Sequence, residues 1–310
     1  DHRGSTPRAK KHLEQYLGDP NALALFSGLH SPPLLAHREF INLNKILVLN
    51  PWAAAGPITR FPSEENWIFR LSVDDSKAGY VITEYATVQK MAKQPALMLE
   101  QTGWGKSNRK TMTKALKAKG MTPQIIKWFN WGLSPNNTRI MLRDIKQSGA
   151  DAIFLVANAP EGKVIAKAMA SLPKEQRLPI YSHWGITGGD FPEIVDVQTR
   201  NKIELSFIQT SFSFIDELST FQRSVLDRAS EIYPHKIKQP SDIKAPTGFI
   251  HAYDLTKVLI TALEQVKAIN DILIARDDVR KALESLPKPV QGLIKTYNKP
   301  FSIFRQSNQD

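Results

Sequence analysis

Few residues of this sequence have the types and spacing that catalysis requires. The chain has no cysteine, which excludes thiolate nucleophiles, thiolate metal sites and disulfide bonds. No two of its seven histidines form the His-Glu-x-x-His pattern of a zinc hydrolase, and no Gly-x-Ser-x-Gly turn occurs. Gly105-Lys106-Ser107 resembles the end of a phosphate-binding loop, but Glu100 stands where the first glycine of that loop is needed. We therefore expect no catalytic residue, no cofactor and no enzymatic activity.

Two histidines and one acidic residue could meet in a single crevice. His30 and His183 each follow a predicted strand, and together with Asp190 they would provide a set of metal ligands. Imidazoles that line a polar crevice, or that complete local hydrogen bonds, explain the same residues more simply. We therefore predict no metal site.

The composition is that of a folded protein with two domains. The chain has 310 residues, of which 42% are hydrophobic and 23% charged. At roughly 150 residues per domain, this length predicts two domains. Lys and Arg number 41 against 30 Asp and Glu, so the net charge of +11 gives a general attraction to anions. The apolar stretches are far shorter than the roughly 20 residues that cross a bilayer.

One predicted helix, residues 107–119 with the residue before it, carries a run of basic residues with no acidic residue among them. Such a run is usually a solvated helix face, and a surface for an anion or a partner is the alternative. Because the basic residues are not interleaved with an aromatic platform, we predict no nucleic-acid partner. The run consists of Lys106, Arg109, Lys110, Lys114, Lys117 and Lys119.

The hydrophobic pattern predicts an α/β fold with parallel sheets. Short runs rich in Val, Ile and Leu, such as residues 46–49 and 152–157, show no clean alternation and are followed by amphipathic helices. Ligands of such sheets bind where the strands end and the following loops gather. The loops of interest are therefore residues 27–33, 50–57, 101–107, 158–161 and 183–190.

These loops carry short stretches in the order and spacing of a known family. The stretches are Phe26-Ser27-Gly28-Leu29-His30-Ser31, Val48-Leu49-Asn50-Pro51-Trp52-Ala53-Ala54-Ala55, Phe69-Arg70, Thr102-Gly103-Trp104-Gly105, Ser148-Gly149-Ala150-Asp151-Ala152-Ile153-Phe154-Leu155, Ser182-His183-Trp184-Gly185 and His251-Ala252-Tyr253-Asp254. No single stretch is specific, but together they span nearly the whole chain. The sequence resembles the type I periplasmic binding proteins, close to the receptors for branched-chain amino acids and amides of ABC importers.

The resemblance implies two Rossmann-like lobes joined by a three-crossover hinge. Lobe 1 would comprise residues 1–75 and 208–292, and lobe 2 residues 76–207 and 293–310. Compared with the family pattern, lobe 1 would lack its first β-α-β unit, and the C-terminal end would be cut short. We therefore expect an N-terminal lobe that is incomplete.

The resemblance also implies a ligand site in a cleft between the lobes, which closes by a hinge motion. In similar receptors a serine at the place of Ser31 binds the ligand carboxylate, and an aromatic residue at the place of Trp104 covers the ligand. A turn or capping role for Ser31, and surface packing for Trp104, are the alternatives. The candidate ligand-binding residues are Ser31, Trp52, Ala53, Ala54, Trp104, Asn158, His183 and Trp184.

The sequence departs from the family pattern at two places that bear on the ligand. Ala54 stands where a hydroxyl residue is usual, with Trp52 available to narrow the pocket, and no carboxylate occurs near Trp184 to pair with a ligand ammonium. Either Glu161 or Asp190 takes that role, or the ligand is not a simple amino acid. Three tryptophans would suit a flat aromatic or weakly polar ligand, or a cation.

We interpret the chain as the solute-binding receptor of an ABC importer, located in the periplasm or on the outer face of the membrane. Its partners would be a small amino-acid-like, amide or aromatic ligand and the membrane permease. The main alternative is the ligand-sensing domain of a sensor kinase or transcription regulator, since such domains share this fold. A nucleotide-using α/β enzyme is disfavoured, because the phosphate loop is absent.

Overall fold

A computed structural model describes residues 1–61, 65–266 and 271–301 of the chain. The chain divides into two compact units. Unit 1 comprises Asp1–Ser72 and Ser211–Asp310, and unit 2 comprises Val73–Thr210. Of the helices in these described ranges, none is both long and apolar enough to cross a membrane.

The first stretch of unit 1 forms a small parallel sheet with two helices. Its elements are α1 (Thr6–Gly18), β1 (Leu25–Phe26), α2 (Ser31–Leu43), β2 (Val48–Asn50) and β3 (Ile68–Arg70). The strands lie in the order β1-β2-β3, and both pairs are parallel. Every residue of β2 is buried, as expected for the central strand of a parallel sheet that is covered on both faces.

Unit 2 is a five-stranded parallel sheet with helices between the strands. Its elements are α3 (Asp75–Glu84), β4 (Pro95–Glu100), α4 (Gly103–Lys117), β5 (Ile126–Phe129), α5 (Pro135–Gln147), β6 (Ala152–Val156), α6 (Ala159–Ser171), β7 (Ile180–Ser182), α7 (Phe191–Ile194), α8 (Val197–Arg200) and β8 (Leu205–Phe207). The strand order is β5-β4-β6-β7-β8, and all pairs are parallel. The predicted parallel α/β architecture is therefore confirmed.

The second stretch of unit 1 is mainly helical. Its elements are α9 (Thr220–Ile232), α10 (Pro246–Leu263), α11 (Ile272–Glu284), β9 (Val290–Gln291) and β10 (Thr296–Tyr297). The buried guanidinium of Arg276 in α11 donates to the backbone carbonyl of Ala22, at 2.6 and 2.9 Å, and lies over the ring of Tyr16. This charged side chain joins the two stretches, because its donors bind carbonyls of the first stretch.

The end of the chain differs from the prediction. The sequence assigned residues 293–310 to lobe 2, but β9 and β10 form an antiparallel hairpin that packs against α10 in unit 1. The buried carboxylate of Asp254 in α10 accepts the N–H of Leu293 at 2.6 Å and the hydroxyl of Tyr297 at 2.8 Å. Residues 293–301 thus belong to unit 1, and residues 302–310 lie outside the described residues.

Helix boundaries differ from the prediction where proline and glycine occur. The sequence pattern predicts that α2 begins at Leu34, but it begins at Ser31. Pro32 and Pro33 can occupy the first turn because N–H groups there have no partner within the helix. Helix α4 begins at Gly103 and not at Ser107, since the Thr102 hydroxyl caps its first turn. The sequence pattern predicts one helix over residues 77–92, whereas α3 begins at Asp75, ends at Glu84 and continues in a π-helical turn, Tyr85–Gln89.

Candidate functional site

In unit 1, Ser31 follows β1 in the first turn of α2. It is buried, and its Oγ accepts the backbone N–H of Ala55 at 3.3 Å. This hydrogen bond connects the loop after β2 to the start of α2. A second hydrogen bond connects the same loop to β3, because the Arg70 guanidinium donates to the carbonyl of Ala55 at 2.8 Å. Ser31 and the loop that contains Ala53 and Ala54 therefore form one connected group.

Asn50 organises this loop, a role that the sequence analysis did not assign to it. Its buried Oδ1 accepts the N–H of Trp52 at 3.2 Å and of Ala53 at 2.9 Å, and it also accepts the hydroxyl of Ser27 at 3.2 Å. Its Nδ2 donates to the carbonyl of Ala53 at 2.8 Å. A polar residue at the end of a fully buried strand, directly before Pro51, is the sequence signal that could have indicated this role.

We expect Asn50→Ala to lower the free energy of unfolding by about 2 kcal/mol, because buried donors of the loop lose their acceptor. Chemical denaturation of the whole chain measures this loss. Asn298→Ala, at an exposed position in unit 1, is the control and should change stability by less than about 0.5 kcal/mol. Equal effects of the two substitutions would contradict the role given to Asn50.

Trp52 packs inside unit 1. Its ring lies against the backbone of α10 at Gly248, so close that a Cβ at Gly248 would stand 2.5 Å from Cε3 of the ring. The indole is nearly buried, and the contact accounts for a glycine at this point of the helix. The ring packs against α10, and the expected role of Trp52 in narrowing a ligand pocket stays a prediction.

In unit 2, four of the predicted residues come together at the carboxyl ends of β4, β6 and β7. Trp104, Asn158, His183 and Trp184 are all buried there. Gly185 brings the loops together, since a Cβ on it would lie 3.0 Å from the ring of Trp104 and 3.1 Å from Oδ1 of Asn158. The rings of Trp104 and His183 meet edge to face at 5.2 Å, and those of His183 and Trp184 lie 3.8 Å apart. These residues thus form one aromatic and polar cluster.

A buried carboxylate that the sequence analysis missed belongs to this cluster. Asp75, in the first turn of α3, accepts the indole N–H of Trp104 on Oδ1 at 3.0 Å. The same oxygen lies 3.6 Å from Nε2 of His183. Within the described part of the chain, Oδ2 of Asp75 and both ring nitrogens of His183 have no hydrogen-bond partner. Three polar atoms of the cluster therefore retain the capacity to bind a polar group.

A second pair of buried polar residues lies at the same edge of the sheet. Asn158 Nδ2 donates to Oε2 of Glu100, the last residue of β4, at 3.2 Å. Burial raises the pKa of Glu100, the hydrogen bond from Trp131 opposes this rise, and the negative charge of Glu161 adds to it. Glu100 was also missed, although a carboxylate that ends an apolar strand is a visible signal.

The two carboxylates proposed to pair with a ligand ammonium have protein partners. Glu161 is buried in the first turn of α6, and its Oε1 accepts the N–H of Gly132 at 3.1 Å. Asp190 forms an ion pair with Lys163 at 2.6 Å. No group of three or more His, Asp or Glu side chains able to hold a metal ion occurs among the residues that the structure describes.

The sequence profile of the periplasmic binding protein family matches residues 1–309. The chain belongs to this family. The resemblance on which the sequence analysis rested is therefore confirmed, and so is the expectation of a binding protein and not an enzyme. A search of curated protein sequences found no significant match.

Solved structures of periplasmic binding proteins share the fold. A type 1 periplasmic binding protein from Bordetella pertussis has a TM-score of 0.79 and 17% identity, over 98% of this chain and 79% of its own. A leucine-binding protein from Thermotoga maritima has a TM-score of 0.74 and 16% identity, over 96% and 77% of the two chains. An ABC transporter solute-binding protein from R. palustris, in complex with benzoate, has a TM-score of 0.76 and 14% identity, over 96% and 75%.

Proposed function

We propose that this periplasmic binding protein is the solute-binding receptor of an ABC importer. It would act on the outer side of the cytoplasmic membrane and deliver its ligand to a membrane permease. Its family and the R. palustris ABC transporter protein with the same fold support this role. The ligand that we propose is a small aromatic acid or amide, bound without chemical change.

The aromatic cluster of unit 2 carries this proposal. The rings of Trp104, His183 and Trp184 lie together at the edge of the sheet where open α/β sheets bind ligands. Flat aromatic ligands gain from edge-to-face and stacked contacts with such rings. The remaining hydrogen-bond capacity of Asp75 and His183 suits an amide or hydroxyl group on the ligand.

The two acidic residues considered as partners of a ligand ammonium do not favour a simple α-amino acid, and Asp75 is left as the carboxylate of the cluster with an oxygen that can accept a ligand N–H. Such a ligand brings an ammonium, which is costly to bury without a carboxylate partner. Glu161 and Asp190, the two residues considered for this role, are bonded to Gly132 and Lys163. The Thermotoga maritima protein is named for leucine and the R. palustris protein holds benzoate. Proteins of this fold therefore include both amino-acid and aromatic-acid binders.

We also propose, from the family resemblance, that Ser31 of unit 1 contacts a ligand oxygen. Its Oγ accepts the N–H of Ala55, which leaves the hydroxyl hydrogen for an acceptor on the ligand. Ser31 also lies in the first turn of α2, where the helix dipole favours an anion, although Pro32 and Pro33 offer no N–H. The carboxylate or carbonyl oxygen of an aromatic acid or amide fits the Ser31 hydroxyl as donor.

A thermal-shift screen of the whole chain tests the ligand class. We expect benzoate, 4-hydroxybenzoate or benzamide to raise the melting temperature, while leucine and isoleucine leave it unchanged. A ligand at 100 times its Kd stabilises the folded chain by about 2.7 kcal/mol. Tight binding of leucine or isoleucine, with no response to the aromatic compounds, would show that the proposed ligand class is wrong.

Ser31→Ala tests the position of the ligand. We expect calorimetric titration to show about tenfold weaker binding of the aromatic ligand, because one hydrogen bond to the charged or carbonyl oxygen is lost. Ser224→Ala, on the exposed side of α9, is the matched control and should leave the Kd unchanged. If both variants bind like the parent chain, Ser31 does not contact the ligand.

A further inference from the structure

The exposed face of α4 is a row of cations. Five basic residues follow one another along this face, and no Asp or Glu occurs from Gln101 to Lys119. At 1.5 Å per residue the row is roughly 16 Å long. None of the five side chains forms an ion pair with any residue in the described ranges. The row, called the cationic row below, consists of Lys106, Arg109, Lys110, Lys114 and Lys117.

The neighbouring helix α3 and the turn after it expose apolar side chains. Val81 is 54% exposed, Val88 50% and Met91 66%, and Tyr80 is also exposed. Tyr80, Val81 and Val88 lie on the outward side of α3 and its π-helical continuation, and Met91 follows in the turn, whereas Ala78, Ile82 and Ala86 face inward and are buried. Exposed apolar residues are unremarkable when scattered, but three on one helix face and a fourth directly after it form a patch. We call Tyr80, Val81, Val88 and Met91 the apolar row.

The two rows lie side by side on one surface of unit 2. Helices α3 and α4 pack closely where a Cβ on Gly79 would meet the backbone of Met112 at 3.2 Å. Further along both helices, Glu84 and Lys119 form an ion pair at 2.6 Å across the outer side. Together with the bond between Asp75 and Trp104, these contacts show that the two helices run in the same direction. The outward faces of α3 and α4 are therefore continuous.

We propose that this surface binds anionic phospholipid membranes. Cations without acidic partners are attracted to a negatively charged lipid surface, and the attraction falls off within a Debye length. Apolar and tyrosine side chains beside them enter the boundary between headgroups and acyl chains. A polyanion such as nucleic acid would use mainly the cationic row, because Tyr80 is the one aromatic side chain of the apolar row and its valines and methionine offer no stacking platform for bases. The membrane is thus the partner that explains both rows.

Vesicle co-sedimentation of the whole chain tests this proposal. We expect binding to vesicles of 30% phosphatidylglycerol in phosphatidylcholine and none to pure phosphatidylcholine. Replacing the cationic row by glutamine (K106Q, R109Q, K110Q, K114Q and K117Q) should weaken binding at least tenfold. Tyr80→Ser, Val81→Ser and Met91→Ser combined should weaken it several-fold while leaving every cation in place.

A matched variant controls for net charge. R143Q, K146Q, K174Q, R200Q and K202Q remove five cations from other exposed positions of unit 2 and should change binding by less than twofold. Circular dichroism and thermal unfolding establish that each variant is folded. An equal loss of vesicle binding in the control variant would show that net charge, and not the cationic row, determines binding, and would contradict the proposal. Binding to duplex DNA as tight as to vesicles, unaffected by the apolar substitutions, or no vesicle binding at all, would overturn the proposal.

Discussion

Gly105→Ala is expected to lower the free energy of unfolding by about 3 kcal/mol or more. A Cβ at this position would stand 1.9 Å from the backbone oxygen of Glu100 and 3.2 Å from the ring of Trp128. Real Cβ atoms do not approach backbone oxygens so closely, so the turn from β4 to α4 must shift. Overpacking that moves backbone costs about 1–3 kcal/mol, and occasionally more.

The position of β4 makes such a shift costly. Glu100 pairs with Phe129 of β5, and Leu99 before it pairs with both β5 and β6, so movement of Glu100 strains the end of a central strand. Urea unfolding followed by tryptophan fluorescence measures the effect. Gly188→Ala is the control, because its Cβ would meet only the methyl group of Ala159 at 3.8 Å. A loss below about 1 kcal/mol in Gly105→Ala would show that the turn adapts easily.

Acid is expected to destabilise unit 1 through His251. This imidazole is buried in α10, and burial lowers its pKa from 6.5 to about 4, although a hydrogen bond to the backbone of Pro51 opposes the shift. The folded chain therefore binds this proton less readily than the unfolded chain. The stabilising contribution is complete above pH 6.5 and is lost as the pH falls towards 4. From the difference in pKa, the loss is about 2 kcal/mol at pH 5 and about 3 kcal/mol at pH 4.

His251→Gln isolates this contribution, since glutamine has no proton to gain. The stability of the parent chain minus that of the variant should fall by about 2 kcal/mol between pH 7 and pH 5. Urea titrations at each pH provide both values, and the subtraction removes the effect of every other titrating group. A difference that does not change with pH would mean that His251 is protonated equally well in the folded and unfolded chains.

Much of the fold could be predicted from the apolar runs. The strand at 152–157 lies within one residue of β6 (Ala152–Val156), because a fully buried parallel strand leaves an uninterrupted apolar sequence. The starts of helices α2 and α4, at Ser31 and Gly103, were predicted three and four residues too late. Proline and glycine usually mark loops. Here they occupy the first turn of a helix, where they do not disturb the hydrogen bonds between backbone groups of the helix.

The candidate site was predicted in part. Trp104, Asn158, His183 and Trp184 come together in unit 2 because each follows a strand of one parallel sheet, a relation that the sequence reveals. That they bind a solute stays a prediction. Asp75 was missed since it follows no strand of the unit 2 sheet and reaches the cluster from the start of α3. The packing of Trp52 on Gly248 joins residues that are remote in sequence, so no local pattern could indicate it.

The division of unit 1 into two stretches has a consequence for synthesis on the ribosome. Residues 1–72 emerge before unit 2, but their partners in α10 and α11 follow only after all of unit 2. Unit 2 is continuous in sequence, so it can fold before α10 and α11 are synthesised. Until then the apolar strands β2 and β3 of the first stretch stay exposed to solvent. A compact unit 2 also shortens the effective loop that must close before Arg276 reaches its carbonyl partners. Chaperones that bind the nascent chain would therefore find their target in residues 1–72.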